Sequence, residues 1–152
     1  MPPSREVVIL SGLPGSGKTT RAERMAHLAM SAAIVSADDA HIDPADGVYR
    51  FKPELRAESH RICWRAFRDA LVEGFGLVIV DNTNLTAAEI APYVLPAEAY
   101  GYDVRILRVP CVPAEAFARQ THGVPAVIFD HMVAAWEKRD VMPWWNVTDL
   151  PE

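Results

Sequence analysis

Between Gly12 and Thr19 the chain reads Gly-Leu-Pro-Gly-Ser-Gly-Lys-Thr, the G-x-x-x-x-G-K-[ST] spacing of a phosphate-binding loop. Each residue type in it answers a need of a bound polyanion. Gly12, Gly15 and Gly17 let the backbone curl with its N–H groups turned inward, an anion nest at the start of a helix. Lys18 brings a point charge to the β- and γ-phosphates of a nucleoside triphosphate, and the Thr19 hydroxyl is a hard oxygen suited to Mg²⁺. Ser16 and Thr20 flank these two and join the same nucleotide-holding set. A glycine-rich turn ahead of an ordinary helix has a similar composition. The apolar run Val7-Val8-Ile9-Leu10 before the loop and the helical pattern after it supply the context that a true phosphate loop requires.

A phosphate cradle does not name a reaction. Ser36-Ala37-Asp38-Asp39-Ala40-His41 follows a second apolar run. In a doubly wound sheet the carboxyl ends of the strands face the ligand crevice, which puts these side chains beside the phosphate loop. A carboxylate there accepts the proton of an acceptor hydroxyl as phosphoryl transfer proceeds, and Asp38 is assigned that role. On an extended segment Asp38 and Asp39 point to opposite sides, so only one is the base; capping a helical turn is the other use of either. Asp81 ends the run Leu77-Val78-Ile79-Val80, where a carboxylate organises Mg²⁺. Asn82 and Thr83 then either hold an acceptor or form a turn through their own backbone. In Arg119-Gln120-Thr121-His122-Gly123-Val124-Pro125, Arg119 is placed to swing over the triphosphate as a lid residue, with His122 beside it, although a lone Arg on a short helix is also a common solvated residue.

Residues so placed need a scaffold that brings strand ends together. Short β-branched runs alternate with longer helical patterns, the signature of a parallel sheet covered by helices. Strands are predicted over Glu6 to Leu10, Ala33 to Ser36, Leu77 to Asp81, Asp103 to Val109 and Trp144 to Val147. Helices are predicted over Lys18 to Met30, Pro53 to Glu73, Ala87 to Ala99, Pro113 to Thr121 and Pro125 to Arg139. Pro92 and Pro96 fall inside the third helix, which predicts a kink or a break there. Residues Ala37 to Lys52 have no regular pattern, and a loop of that length in a compact domain is usually functional. The fold class is α/β: a P-loop kinase-type three-layer fold with a central, mostly parallel sheet and a helical lid at about 113–125. Residues 1–152 form one domain, with a C-terminal tail from about 140 to 152.

Composition narrows the classes further. The chain has 152 residues, 50% of them hydrophobic, a formal net charge of -5 and two cysteines. That apolar content excludes a disordered chain, and the length leaves little room for a motor domain's extra sheet and sensor elements. No apolar run reaches membrane-helix length, and the start of the chain lacks the pattern of an export signal. Cys63 and Cys111 stand apart, so a reducing cytoplasm is the expected location. The acidity is uneven. Residues 50–68 carry six basic and two acidic side chains, a local +4 that leaves -9 for the rest of the chain. Arg61, Arg65 and Arg68 share one helix face, with Leu55, Cys63, Ala66 and Ala70 opposite. That stripe is either a solvated helix face or a track for an acceptor's phosphates, with Tyr49 or Phe51 stacking a base. The adjacent Trp144 and Trp145 on an edge strand cover a core flank, or one of them packs on adenine.

Taken together, Gly12 to Thr19, Asp38-Asp39, Gly47 to Pro53, Asp81-Asn82-Thr83-Asn84, Pro92-Tyr93, Gly101-Tyr102-Asp103-Val104 and Arg119 through Pro125 resemble the kinase domains of polynucleotide 5′-hydroxyl kinases. The resemblance runs from Val7 to about Glu137. It implies transfer of the γ-phosphate of ATP, or another NTP, with Mg²⁺, to the 5′-OH end of DNA or RNA. It also implies that Lys18 and Thr19 hold phosphates and metal, that Asp38 is the general base, and that Arg119 is a lid residue on the phosphates. Asp39 and His41 are expected at the acceptor; the phage members have an Arg contacting the acceptor's phosphate where this chain has His41, and their lids are more basic. Any phosphatase or ligase that heals the same end would be a separate protein. The alternatives are a small-metabolite or antibiotic kinase on the same loop and base, and a nucleotide-binding regulatory module with little turnover.

Overall fold

The structure, a computed structural model, describes residues 4–152; the part of the export-signal reading that falls on Met1 to Pro3 lies outside them. The strands are β1 (Glu6–Ser11), β2 (Ala32–Val35), β3 (Leu77–Asp81), β4 (Asp103–Arg108) and β5 (Val147–Asp149). They form one sheet in the order β2-β3-β1-β4-β5, with every pairing parallel. The helices are α1 (Lys18–Leu28), α2 (Arg56–Glu73), α3 (Ala87–Ala99), α4 (Pro113–Arg119) and α5 (Ala126–Glu137). Because β1 lies in the middle, its side chains are buried on both faces. Val7 and Ile9 pack with Cys63, Phe67, Ile90 and Val94 of α2 and α3, whereas Val8 and Leu10 pack with Ala22 of α1 on the other side. The layers are therefore α1, sheet, and α2 with α3. A third cluster, Leu13, Leu85, Ala116 and Phe129, seats α4 and α5 on the loops at the carboxyl end of the sheet.

Three local expectations change. First, α3 runs unbroken through Pro92 and Pro96. Pro96 has no N–H to offer the Pro92 carbonyl, and the Trp64 indole N–H donates to that carbonyl at 3.0 Å instead. Second, the last strand is Val147–Asp149, not Trp144 to Val147: Trp144 is exposed in a turn, while Trp145 packs on the core flank. Third, Ala66 lies on the exposed side of α2, and Cys63, Phe67 and Ala70 form its buried face.

Candidate active site

The carboxyl ends of β1, β2 and β3 deliver the phosphate loop, a short 3₁₀ turn (Ala37–His41) and the Asp81-to-Asn84 segment to one cleft. The Gly12 N–H donates to the Thr83 carbonyl at 2.9 Å, tying the loop to the end of β3. A Cβ on Gly12 would stand 2.9 Å from the Val109 carbonyl oxygen, so this glycine is buried under the loop and makes room for it, outside the cleft lining. Gly15, at φ +82°, would place a Cβ only 2.0 Å from the Ala116 carbonyl oxygen; its bareness lets α4 rest on the loop. Gly17, at φ +94°, caps α1 with open space around it. Ser16 Oγ is buried without a hydrogen-bond partner among the described residues.

Lys18 is buried, its Nζ donates to the Leu13 carbonyl at 2.8 Å, and burial pulls its pKa down against the opposing pull of Asp81. The Thr19 hydroxyl donates to Asp81 Oδ2 at 2.8 Å. Burial pushes the Asp81 carboxyl up, an effect the Thr19 bond and Lys18 oppose. A hydroxyl oxygen and a carboxylate beside a phosphate loop are the hard donors Mg²⁺ prefers when substrate phosphates complete its shell, so Thr19 and Asp81 fit that ion. The unpartnered Ser16 Oγ and the buried cation of Lys18 fit the phosphates.

Asp38 is not on an extended segment. The Ser36 hydroxyl accepts from the Asp38 N–H at 3.2 Å and caps the 3₁₀ turn, so the cap is Ser36 and not either Asp. Successive side chains of that turn are about 120° apart, at three residues per turn. Asp38 therefore enters the cleft while Asp39 is exposed outside it. Asn82 holds the turn in place: its Oδ1 accepts from the Ala37 N–H at 2.8 Å, and its Nδ2 faces Cys63 Sγ and Tyr93 Oη, each at 3.5 Å.

The lid comes down on Asp38. His122 Nδ1 lies 3.5 Å from Asp38 Oδ2, and its ring stacks on Tyr49 at 4.2 Å. His122 thus faces Asp38 and Tyr49 across the cleft. Gln120 closes the lid turn reciprocally, donating from Nε2 to the Val124 carbonyl and accepting the Val124 N–H, both at 2.9 Å. Arg119, at the end of α4, borders the same cleft. His41 is buried; its Nδ1 accepts from the Lys52 N–H at 3.1 Å, and its ring packs on Phe51. Only Nε2 remains for an acceptor, so His41 chiefly shapes the loop that presents Tyr49.

The cleft measures about 1170 Å³, more than one drug-sized ligand needs and enough for two reactants. Ser16, Thr20, Asn82 and Thr83 line it together with the residues above. Arg61 and Arg65 do not. Both pair with Glu58, at 3.4 and 3.2 Å, and face an adjoining groove between α2 and α3. Arg50 is likewise matched by Asp43 and Asp46, so part of the +4 of residues 50–68 is neutralised locally. Sequence reasoning missed Ser36, Gln120 and Trp64. Serine before an acidic pair is a readable cap signal, whereas the partners of Gln120 and Trp64 become visible only once the chain is folded.

A family model described as an AAA domain matches residues 7–127. Human NEDD4-binding protein 2 is 30% identical over 151 residues; the match covers 96% of this chain and 8% of that protein, so the chain corresponds to a small part of its relative. Among solved structures, one of the Pnkp1/Rnl/Hen1 RNA repair complex aligns with a TM-score of 0.72 at 17% identity, over 90% of this chain and 45% of that one. A sugar kinase from Janibacter sp. HTCC2649 aligns at 0.63 and 22% identity, over 97% and 85%. A gluconokinase from Sinorhizobium meliloti 1021 aligns at 0.59 and 15%, over 99% and 84%. The fold these share is that of P-loop kinases. No helix among the described residues is long and apolar enough to cross a membrane.

Proposed function

Because the chain belongs to the AAA domain family and has a P-loop kinase fold, we propose that it transfers the γ-phosphate of ATP, or another NTP, to the 5′-hydroxyl end of DNA or RNA. The observation that carries this reading is Asp38. Among the described residues its carboxylate accepts no side-chain hydrogen bond; its Oδ2 lies 3.5 Å from His122 Nδ1, and it lines the cleft that the phosphate loop opens into. The acceptor oxygen attacks the γ-phosphorus, its proton passes to Asp38, and the bond to the β-bridging oxygen breaks to release the nucleoside diphosphate. Lys18 and the loop N–H groups hold the phosphates in line, and Arg119 meets the charge spread over the equatorial oxygens. Thr19 and Asp81 would hold Mg²⁺, which would supply positive charge to offset that of the phosphates.

Three features support a polynucleotide acceptor. Asp81, Asn82 and Thr83 of one motif of the resemblance and Arg119 to Pro125 of the other meet at this cleft. Tyr49 offers an aromatic ring beside Asp38, stacked on His122. The RNA repair complex is among the structures that share the fold. The sugar kinase and the gluconokinase each cover most of this chain, which favours a hydroxylated metabolite as the second reading. An acceptor panel separates the two: 5′-OH oligonucleotides beside gluconate, hexoses and nucleosides, each with labelled γ-phosphate. Turnover on oligonucleotides alone is expected; turnover confined to the small metabolites overturns the reading.

A further inference from the structure

Beside the cleft, and sharing His60, Asn82 and Glu89 with it, runs a second groove of about 640 Å³ between α2 and α3. Its α2 wall carries Arg61, Arg65 and Arg68 on one face, with Trp64 between them. The indole is fixed: its N–H is spent on the Pro92 carbonyl at 3.0 Å and its body packs on the core beneath. What Trp64 presents to the groove is therefore ring surface. The guanidinium groups are exposed, at 68, 57 and 47%, and their carboxylate partners are Glu58 and Asp69. Exposed pairs of this kind contribute little, so a phosphate can take the place of either carboxylate. Glu89 is turned to its own helix start, where the Thr86 hydroxyl donates to its Oε1 at 3.0 Å.

We propose that this groove is a distal site for a single polynucleotide strand, holding the nucleotides that trail the reacting 5′ end, with a base on Trp64 and phosphates on Arg61, Arg65 and Arg68. The proposal rests on the 5′-hydroxyl kinase reading, and two observations carry it. The groove opens into the cleft at His60, Asn82 and Glu89, so a strand whose end lies at Asp38 has a direct exit. A fixed aromatic ring among three cations matches the stacking-plus-backbone pattern of sequence-tolerant strand binding. From Arg56, at the cleft, to Arg68 the helix rises about 18 Å at ~1.5 Å per residue, roughly five nucleotides at the ~3.4 Å stacked spacing. The acceptor's 5′ nucleotide is read in the cleft; the groove adds length dependence without base specificity.

The test compares a nucleoside 3′-phosphate with 5′-OH oligonucleotides of two to ten residues as acceptors, and measures binding of a fluorescein-labelled hexanucleotide by anisotropy. KM should fall as the acceptor grows to about five nucleotides and then level off. Trp64→Leu combined with Arg68→Gln should raise KM for the hexanucleotide about tenfold, the scale of one lost base stack, while kcat at saturation stays within twofold. Trp64→Phe, which keeps the ring, should recover most of that loss and guards against a folding defect. Arg61→Gln with Arg65→Gln should flatten the slope of log affinity against log salt by about 1.4, from ~0.7 per single-strand phosphate contact. Equal KM for all lengths, or an unchanged salt slope, overturns the groove even when 5′ phosphorylation proceeds. Trp64-dependent binding of the hexanucleotide with no transfer to any acceptor upholds the groove and overturns the kinase reading instead.

Discussion

Gly15→Ala tests how the lid is coupled to the phosphate loop. An alanine Cβ at residue 15 would lie 2.0 Å from the Ala116 carbonyl oxygen, where real contacts begin above 3.0 Å, so α4 must back away by about 1 Å. The residue also sits at φ +82°, which costs a non-glycine about 1–2 kcal/mol. Gly17 is the matched control: at φ +94° it has the same backbone penalty, yet nothing lies within 4 Å of its Cβ position. Adding ~1–3 kcal/mol for overpacking, Gly15→Ala should cost about 3 kcal/mol and Gly17→Ala about 1.5. At roughly 2–4 °C per kcal/mol for a domain of this size, the Tm losses are about 6–12 °C and 3–6 °C. Circular dichroism melts of the ligand-free protein read both. A second readout locates the damage, because an α4 pushed off the loop frees the chain at Arg119, and trypsin should cut after that residue faster in Gly15→Ala alone. Equal Tm losses with equal cleavage rates would refute the claim that the loop supports the lid through Gly15.

Two further outcomes follow from the same geometry. Asn82→Ala removes the acceptor for the Ala37 N–H and the partner of Cys63 and Tyr93; stability should fall by about 1–3 kcal/mol in urea melts, and kcat should fall at least tenfold with KM for ATP little changed, because Asp38 loses its anchor and the loop does not. Burial makes the folded chain hold the Lys18 proton less tightly than the unfolded chain does, so the charged amine opposes folding at neutral pH, and that penalty fades as pH rises through the lowered pKa toward 10.5; the Tm of Lys18→Met relative to the parent should therefore decline between pH 7 and pH 10, and a difference that grows with pH would contradict the assignment.

The parts of this fold that one stretch of chain decides were legible in the sequence. β1 and β3 lie within a residue of the expected limits, because strands buried on both faces are continuously apolar. The phosphate loop, Asp38 and Asp81 meet because parallel strand ends all face one side of the sheet. What stayed hidden depends on which distant surfaces touch. Periodicity found the arginine stripe of α2 but not that α3 turns it into a groove beside the cleft. Two prolines predicted a broken helix, and the indole of Trp64, far away in sequence, takes the freed carbonyl. Tryptophan pairs look like strand, yet β5 forms three residues later, where Asp149 meets Arg108 and Arg139 at 2.9 and 2.6 Å. An extended segment is the expectation at Asp38 and Asp39, and the Ser36 cap winds it into a 3₁₀ turn that leaves Asp39 outside the cleft.

In the proposed reaction Asp38 is the base for phosphoryl transfer in the cleft and takes no part in holding the nucleotide. Asp38→Asn keeps the size and the Ser36-capped turn, and removes only the ability to accept a proton. Single-turnover transfer of labelled γ-phosphate to a 5′-OH oligonucleotide should drop by about 10²–10⁴, while the dissociation constant for a non-hydrolysable ATP analogue with Mg²⁺ stays within twofold. Transfer that survives the substitution, or a nucleotide affinity that falls with it, would contradict the account.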